Sequence, residues 1–254
     1  MGSGTLAPPP APADIGIVAA LPIEVGPLLD QLKSRRKYHG PKWAITEGDL
    51  AGKLVALIVA GVSEKAARRG VEVLAAGHRP RWVISAGFGG ALDPELKRND
   101  VVLARRVGSV EPGRAPLDID LALPSPAEGR PTVRAGSVLT IDRIIRTPAE
   151  KAALRRDHGA DVVDMETYAV ALYCAERSIR FLGVRVVSDE AATELPPEIL
   201  TILGPTGGFR LGAAVGALWR RPSRVKDLLR LREHAHEAAD RLAAVLPPLI
   251  ERLP

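Results

Sequence analysis

Short, uniformly apolar runs recur along the chain and alternate with segments that have helical spacing of apolar residues. Such runs are DIGIVAA from Asp14, RWVIS from Arg81 and GVRVV from Gly183. Strands that are apolar at every position are typical of a sheet that is buried on both faces. The alternation predicts an α/β fold with three α/β/α layers, in which helices cover a mostly parallel, mixed central sheet.

The clearest predicted helices carry recognisable N-termini. Ser63 is the expected N-cap of SEKAARRGVEVLAAGH, and Thr147 with Pro148 and Glu150 forms a helix start in TPAEKAALRRDHG. Further helices are expected in PIEVGPLLDQL and from Glu166 onward. WAITEGDLAGKLVALIVAG predicts a hairpin that turns at its Ala-Gly pair, and RWVISAGFGGAL predicts a strand that runs into a glycine turn.

Residues 14–254 are expected to form one domain without an internal linker. Residues 1–13 are rich in Pro and Ala and are expected to be a disordered tail. Residues 108–131 are dense in Pro and Gly and predict a loop. The region from about 207 to 253 is expected to be helical, with one apolar face formed by Val225, Leu228, Leu229, Leu242, Leu246 and Leu249.

Composition excludes several classes of protein. The only cysteine, Cys174, lies in an apolar helical pattern, so a disulfide framework is excluded and a cytoplasmic location is expected. Few aromatic residues accompany the scattered basic residues, which argues against a nucleic-acid interface. No apolar run reaches the roughly 18 residues that an integral membrane helix needs. The histidines lack metal-ligand spacing, so neither a metal nor another cofactor is expected.

Acids and glycines follow the predicted strands. Glu24 comes after the first strand, Gly87 to Gly90 follow RWVIS, Glu166 follows ADVV, and Asp189 follows GVRVV. Ligand sites of α/β sheets collect at the carboxyl ends of strands, so these residues are expected to surround one pocket. We expect no His, Cys or Lys to converge there. The glycine run is a weak dinucleotide motif, because Leu92 stands where a third glycine is required, and it suits close backbone approach to a ligand better.

Carboxylates around a glycine-lined pocket suit acid–base chemistry, and hydrolysis of a glycosidic bond is the leading example. Each acid has an ordinary structural alternative. Glu166 and Glu24 are acids at helix starts, where the helix dipole favours them, and Asp189 is a strand-end residue. Their joint placement favours the functional interpretation.

Three segments together resemble a known superfamily. IGIVAALPIEVGPLL, SAGFGGALDPELKRNDVV and DMETYAVALYCAERSIRFLGVRVVSDEA are similar to the purine nucleoside phosphorylases and nucleosidases, and among these most to the methylthioadenosine/S-adenosylhomocysteine nucleosidases. The resemblance covers about residues 14–192. It implies hydrolysis of the N-glycosidic bond of an adenosine-type nucleoside, with release of adenine, by a homodimer.

The resemblance also implies a role for each site residue. Glu24 would be the general base that activates water, and Asp189 would donate a proton toward N7 of the departing adenine. Met165 and Glu166 would hold the ribose, and Ile145 would contact the base. The full set of implied substrate contacts is Phe88, Gly89, Gly90, Ile145, Met165, Glu166 and Ser188.

The chain departs from the superfamily pattern at several positions. Phe88 stands where a Ser or Thr is common, Ile144 where an aromatic residue is common, and Asp164 where Glu is common. LPIEV does not match the early Gly-Asp-Pro-x-Arg phosphate loop of the phosphorylases, which favours water as the nucleophile. A phosphorylase and a non-catalytic nucleoside-binding protein remain the alternatives.

A second resemblance concerns the C-terminal region. VDMETYAVA, SDEAATELPP and GALWRRPSRVKDLLRL are similar to hopanoid-associated phosphorylase-like proteins, which resemble enzymes that remove adenine from adenosylhopane. This implies a substrate with an apolar 5′ substituent. The basic C-terminal helix then either makes peripheral contact with a membrane surface or packs on its own domain or a dimer partner.

Overall fold

The computed structural model of the chain describes residues 10–120, 132–197, 199 and 225–254. Within these ranges a ten-stranded sheet is surrounded by helices. The strands are β1 (Ile15–Ala19), β2 (Lys33–Gly40), β3 (Trp43–Leu50), β4 (Lys53–Val59), β5 (Trp82–Ala91), β6 (Val101–Ser109), β7 (Leu117–Asp118), β8 (Val133–Thr140), β9 (Val162–Asp164) and β10 (Arg180–Asp189). The helices are α1 (Pro22–Gln31), α2 (Glu64–His78), α3 (Pro148–His158), α4 (Thr167–Glu176) and α5 (Val225–Arg252).

The sheet is mixed, and part of it closes on itself. The strand order is β10-β6-β8-β9-β5-β1-β4-β3-β2, with β7 paired to β6. Because β10 also pairs with β5, the strands β5, β10, β6, β8 and β9 form a closed ring. The central pairs β4–β1, β1–β5 and β5–β10 are parallel, as are β6–β8 and β8–β9. The predicted α/β fold with a mixed sheet is confirmed, and the ring closure adds to it.

Helices cover both faces of the central strands. Successive residues of a strand point to opposite faces, and β1 is buried at every position. Ile17 packs in one core with α1 and with Leu246 of α5. Val18 packs in a second core with Leu74 of α2 and Val170 of α4. The three layers that the apolar strands predicted are therefore present.

The predicted helix starts at Ser63 and Thr147 are confirmed. Ser63 Oγ accepts a hydrogen bond of 3.2 Å from the backbone N–H of Ala66. Thr147 and Glu150 form a capping box, in which the Thr147 hydroxyl accepts from the Glu150 N–H at 3.2 Å and the Glu150 carboxylate accepts from the Thr147 N–H at 3.1 Å. Each cap satisfies N–H groups that have no partner within the helix.

The structure adds one strand that the sequence did not predict, and two local expectations are wrong. Lys33–Gly40 was not predicted as a strand because its side chains are mostly exposed and polar; it forms β2 by antiparallel pairing with β3 at the sheet edge. The glycines after RWVIS do not form a turn, because β5 continues to Ala91 and pairs with both β10 and β9. The predicted loop at 108–131 begins late, since β6 reaches Ser109, and it contains the short strand β7.

The C-terminal helix packs against its own domain. Leu242, Leu246 and Leu249, which were predicted to share one face, are all buried. The amide of Gln31 in α1 donates a hydrogen bond of 3.1 Å to the backbone carbonyl of Ala243 in α5. For this part of the helix the structure favours packing within the domain over a membrane-facing role.

Some expectations fall outside the described residues. They concern most of the N-terminal tail, the middle of the predicted loop, the helical character of residues 207–224, and the side chains of Val225, Leu228 and Leu229. In the ranges that the structure covers, no helix combines the length and the apolar character needed to cross a lipid bilayer.

Candidate active site

A cavity of about 280 Å³ lies at the carboxyl ends of β1, β5, β9 and β10. Its volume is near the lower end of the range of about 300–1,000 Å³ found for ligand pockets. The structure brings together on its wall all nine residues that the sequence predicted: Glu24, Phe88, Gly89, Gly90, Ile145, Met165, Glu166, Ser188 and Asp189.

Glu24 is held by the start of α1. One carboxylate oxygen accepts hydrogen bonds from the backbone N–H groups of Ala20 at 2.9 Å and Leu21 at 2.7 Å, and the other accepts from the N–H of Phe88 at 3.0 Å. Burial raises the pKa of Glu24 above its ordinary value, while these backbone bonds and the charge of Arg185 oppose the rise. A buried carboxylate with a raised pKa is a suitable general base.

Glu166 stands at the N-cap position of α4 and lines the same cavity as Glu24. Its Oε1 accepts a hydrogen bond of 3.1 Å from the backbone N–H of Ser63. Burial, followed by the nearby charge of Asp164, raises the pKa of Glu166 to about 8. The raised pKa favours the protonated carboxyl group, which can both donate and accept hydrogen bonds.

Arg185, which the sequence did not reveal, does not line the cavity but pairs with Asp164, which does. It lies in β10 with only 2% of its surface exposed. Its guanidinium donates to Asp164 Oδ2 at 2.8 and 2.7 Å, to the Ser85 carbonyl at 3.0 Å and to the Ser85 hydroxyl at 2.8 Å. An arginine inside an otherwise apolar strand, GVRVV, was the available signal, since a buried charge requires a partner.

Asp189 lies at the end of β10 and is paired with a buried lysine. Ser188 Oγ lies 2.7 Å from Asp189 Oδ1, and Lys151 Nζ lies 2.5 Å from Asp189 Oδ2. The expectation that no lysine converges on this edge of the sheet is wrong. Lys151 was missed because it belongs to the amphipathic helix α3, where a lysine ordinarily faces solvent.

Glycines of β5 make room for both carboxylates. A Cβ atom at Gly87 would lie 2.6 Å from Glu24 Oε1, and one at Gly90 would lie 3.3 Å from Asp189 Oδ2. Glu24 therefore lies against β5 at Gly87, and Asp189 lies against it at Gly90.

The rest of the wall is largely apolar. Phe88, Ile145 and Met165 line it together with Leu195, which follows β10. The first described turns of α5 also reach the cavity, which the sequence did not predict. The residues that α5 contributes are Leu231, Arg232, His234 and Ala235.

The fold and the site define an α/β enzyme whose cavity is lined by several carboxylates. More specifically, the chain belongs to the Phosphorylase superfamily, which residues 14–203 match. The resemblance to this superfamily noted in the sequence is therefore confirmed.

Comparison with curated proteins and solved structures agrees with this assignment. The chain is 28% identical over 208 residues to a 5′-methylthioadenosine/S-adenosylhomocysteine nucleosidase of Tolumonas auensis, covering 72% of this chain and 88% of the relative. The structure of such a nucleosidase from S. pneumoniae, with a transition-state inhibitor, superposes with a TM-score of 0.72 at 20% identity, covering 94% of this chain and 99% of the other. The structure of the futalosine hydrolase of Helicobacter pylori superposes with a TM-score of 0.70 at 14% identity, covering 96% of this chain and 98% of the other. The two structural likenesses show a shared fold.

Proposed function

We propose that the chain is a purine nucleosidase that hydrolyses the N-glycosidic bond of adenosine-type nucleosides such as methylthioadenosine and S-adenosylhomocysteine. The observation that carries the proposal is the placement of two buried carboxylates, Glu24 and Asp189, on the wall of one cavity, with Glu24 against Gly87 and Asp189 against Gly90 of β5. A nucleoside bound between them has a base for water on its sugar side and an acid on its purine side.

The chemistry follows from these positions. Glu24 takes a proton from water as the water oxygen bonds to the anomeric carbon, and the C–N bond breaks with its electron pair moving to the purine. Asp189 supplies the proton that N7 takes up, so adenine leaves as a neutral molecule. Glu166 binds the ribose hydroxyls, and the remaining substrate contacts are those that the resemblance implies: Phe88, Gly89, Gly90, Ile145, Met165 and Ser188.

The start of α1 supports water, rather than phosphate, as the nucleophile. Backbone N–H groups at a helix N-terminus form a natural anion site. Here the N–H groups of Ala20 and Leu21 already donate to Glu24. The chain's own carboxylate therefore occupies donors that a phosphate would otherwise use.

A second candidate differs only in the 5′ substituent of the nucleoside. Leu231 and Ala235 of α5 and the nearby Leu195 give the cavity an apolar wall that is contributed by the C-terminal helix. This wall favours an adenosine with an apolar 5′ group, as the hopanoid-associated resemblance implies. Comparison of kcat/KM for adenosine, methylthioadenosine and longer 5′-alkylthioadenosines ranks the two candidates.

The test of the proposal is adenine release from methylthioadenosine and S-adenosylhomocysteine with and without inorganic phosphate. A hydrolase gives equal rates in both conditions and a free reducing sugar. Dependence on phosphate, with a sugar 1-phosphate as product, would identify a phosphorylase. Tight nucleoside binding without turnover would identify a binding protein.

A homodimer in the cytoplasm belongs to the same proposal. Cys174 is buried and free, and burial raises its thiol pKa to about 12. An unreactive, unpaired thiol suits a reducing compartment. Light scattering of the purified protein tests the dimer, and fractionation of the source cells tests the location.

A further inference from the structure

We propose that Lys151 is a positioning residue for the Asp189 carboxyl group, so that a buried ion pair between α3 and the end of β10 sets the geometry of the acid. The inference rests on the proposed function. It concerns a residue that does not line the cavity and that the superfamily resemblance does not assign.

Lys151 is buried completely and directs its ammonium group at three acceptors. Nζ lies 2.5 Å from Asp189 Oδ2, 2.7 Å from the backbone carbonyl of Glu190 and 3.1 Å from that of Thr193. The side chain has no exposed surface, and that of Asp189 is 9% exposed. All three ammonium protons therefore have a partner within the short segment 189–193.

Burial of the Lys151 ammonium group has a free-energy cost, because the group loses its hydration. This cost is offset only when the charge is paired and the ammonium protons are hydrogen-bonded. A buried apolar pair of similar size often gives equal or greater stability, so the ion pair is weak evidence for a stabilising role. Its partner is the residue that faces the base end of the cavity, which points to a role in the reaction.

The two oxygens of Asp189 have different surroundings. Lys151 occupies Oδ2, while the hydroxyl of Ser188 is the protein group within hydrogen-bond distance of Oδ1. Fixing Oδ2 prevents the carboxyl group from rotating and leaves Oδ1 for the purine. In each turnover Oδ1 takes up a proton from solvent and passes it to N7, which restores the carboxylate. The restored carboxylate lies beside the fixed positive charge of Lys151, which stabilises it without rearrangement.

The bonds to Glu190 and Thr193 extend this effect to the backbone after β10. Leu195, two residues beyond Thr193, lines the cavity and its N–H donates to the Arg146 carbonyl at 2.9 Å. Lys151 thus fixes the position of Asp189 relative to the neighbouring cavity wall at Leu195.

A double-mutant cycle of Lys151→Met and Asp189→Asn, read as kcat for adenine release from methylthioadenosine, tests the proposal. Methionine keeps the length of the side chain and removes its charge. We expect Lys151→Met to lower kcat by about 10- to 100-fold, as a misplaced catalytic group does, with KM changed much less. In the Asp189→Asn background the same change should lower kcat no further, because Lys151 acts only through the acid.

Lys97→Met is the matched control. Lys97 is an exposed lysine that pairs with the side chain of Glu190 at 3.4 Å. Its replacement by methionine therefore removes a nearby positive charge and leaves the contacts of Asp189 unchanged. Its kcat should equal that of the wild type. Circular dichroism of each variant, and Lys151→Gln as a smaller perturbation that keeps donor groups, separate loss of activity from loss of fold.

The outcomes are distinguishable. A loss from Lys151→Met that is equally large in both backgrounds, or a rise in KM with unchanged kcat, would overturn the positioning role while the nucleosidase proposal stands. A wild type that releases no adenine from any of the nucleosides overturns the proposed function, and the role of Lys151 with it.

Discussion

Replacement of Gly87 by alanine tests whether activity depends on the position of the Glu24 carboxylate. A Cβ atom at this position would lie 2.6 Å from Oε1 and 3.1 Å from Cδ of Glu24. The carboxylate is not the free end of a flexible side chain, because its oxygens accept hydrogen bonds from the N–H groups of Ala20, Leu21 and Phe88. The added methyl group must therefore displace it from at least one of these donors.

The size of the effect follows from the hydrogen bond that is lost. A hydrogen bond to a charged group contributes about 1.5–3 kcal/mol, and each 1.36 kcal/mol of transition-state stabilisation changes a rate about tenfold. We expect Gly87→Ala to lower kcat for adenine release by about 10- to 150-fold. The expected change in KM is smaller, since the proposed role of Glu24 is to activate water and not to bind the nucleoside.

Steady-state adenine release from methylthioadenosine measures this effect, with Gly77→Ala as the control. Gly77 lies in α2, and an added Cβ would meet no atom within 4 Å. The control should keep wild-type kcat and gain up to about 1 kcal/mol in stability, because alanine favours a helix interior over glycine. If Gly87→Ala keeps wild-type kcat while circular dichroism shows a native fold, the assignment of Glu24 as the base is refuted.

Two further predictions concern stability. Glu166 has a folded-state pKa of about 8 against an ordinary value of 4.5, so the folded protein binds more protons than the unfolded chain between these values and its stability falls as pH rises through that window. Glu166→Gln should remove the loss of stability that Glu166 causes in this pH window. Urea unfolding of both proteins at pH 6 and pH 9 measures the change in the free energy of unfolding. An equal change in the variant and the wild type would show that Glu166 is ionised in the folded protein. Leu246→Ala should lower the free energy of unfolding by about 2–5 kcal/mol, because Leu246 is fully buried between α5 and the sheet. A loss below about 1 kcal/mol by urea unfolding would mean that α5 does not pack as described.

The parts of the fold that the sequence predicted are those with local signals. β1 is apolar at every position, the middle of β10 is mostly apolar, and Ser63 and Thr147 mark helix starts by their own chemistry. β2 lacks such a signal, because it is a strand only through its pairing with β3.

The sequence predicted those site residues that lie near the ends of strands. Glu24, Glu166 and Asp189 were found because each lies at the end of a strand or within five residues after it. Lys151 and Arg185 were not found, because their partners lie 38 and 21 positions away along the chain. The wall formed by α5 was missed for the same reason, since tertiary packing alone brings a C-terminal helix to strands that precede it.

The most direct test of the central claim is the rate of adenine release from methylthioadenosine by the wild type, Glu24→Gln and Asp189→Asn. The account predicts phosphate-independent release by the wild type and a kcat lowered by about two to four orders of magnitude in each variant, as expected for loss of a general base or acid. Wild-type rates in either variant, or no release by the wild type from any adenosine-type nucleoside, would contradict it.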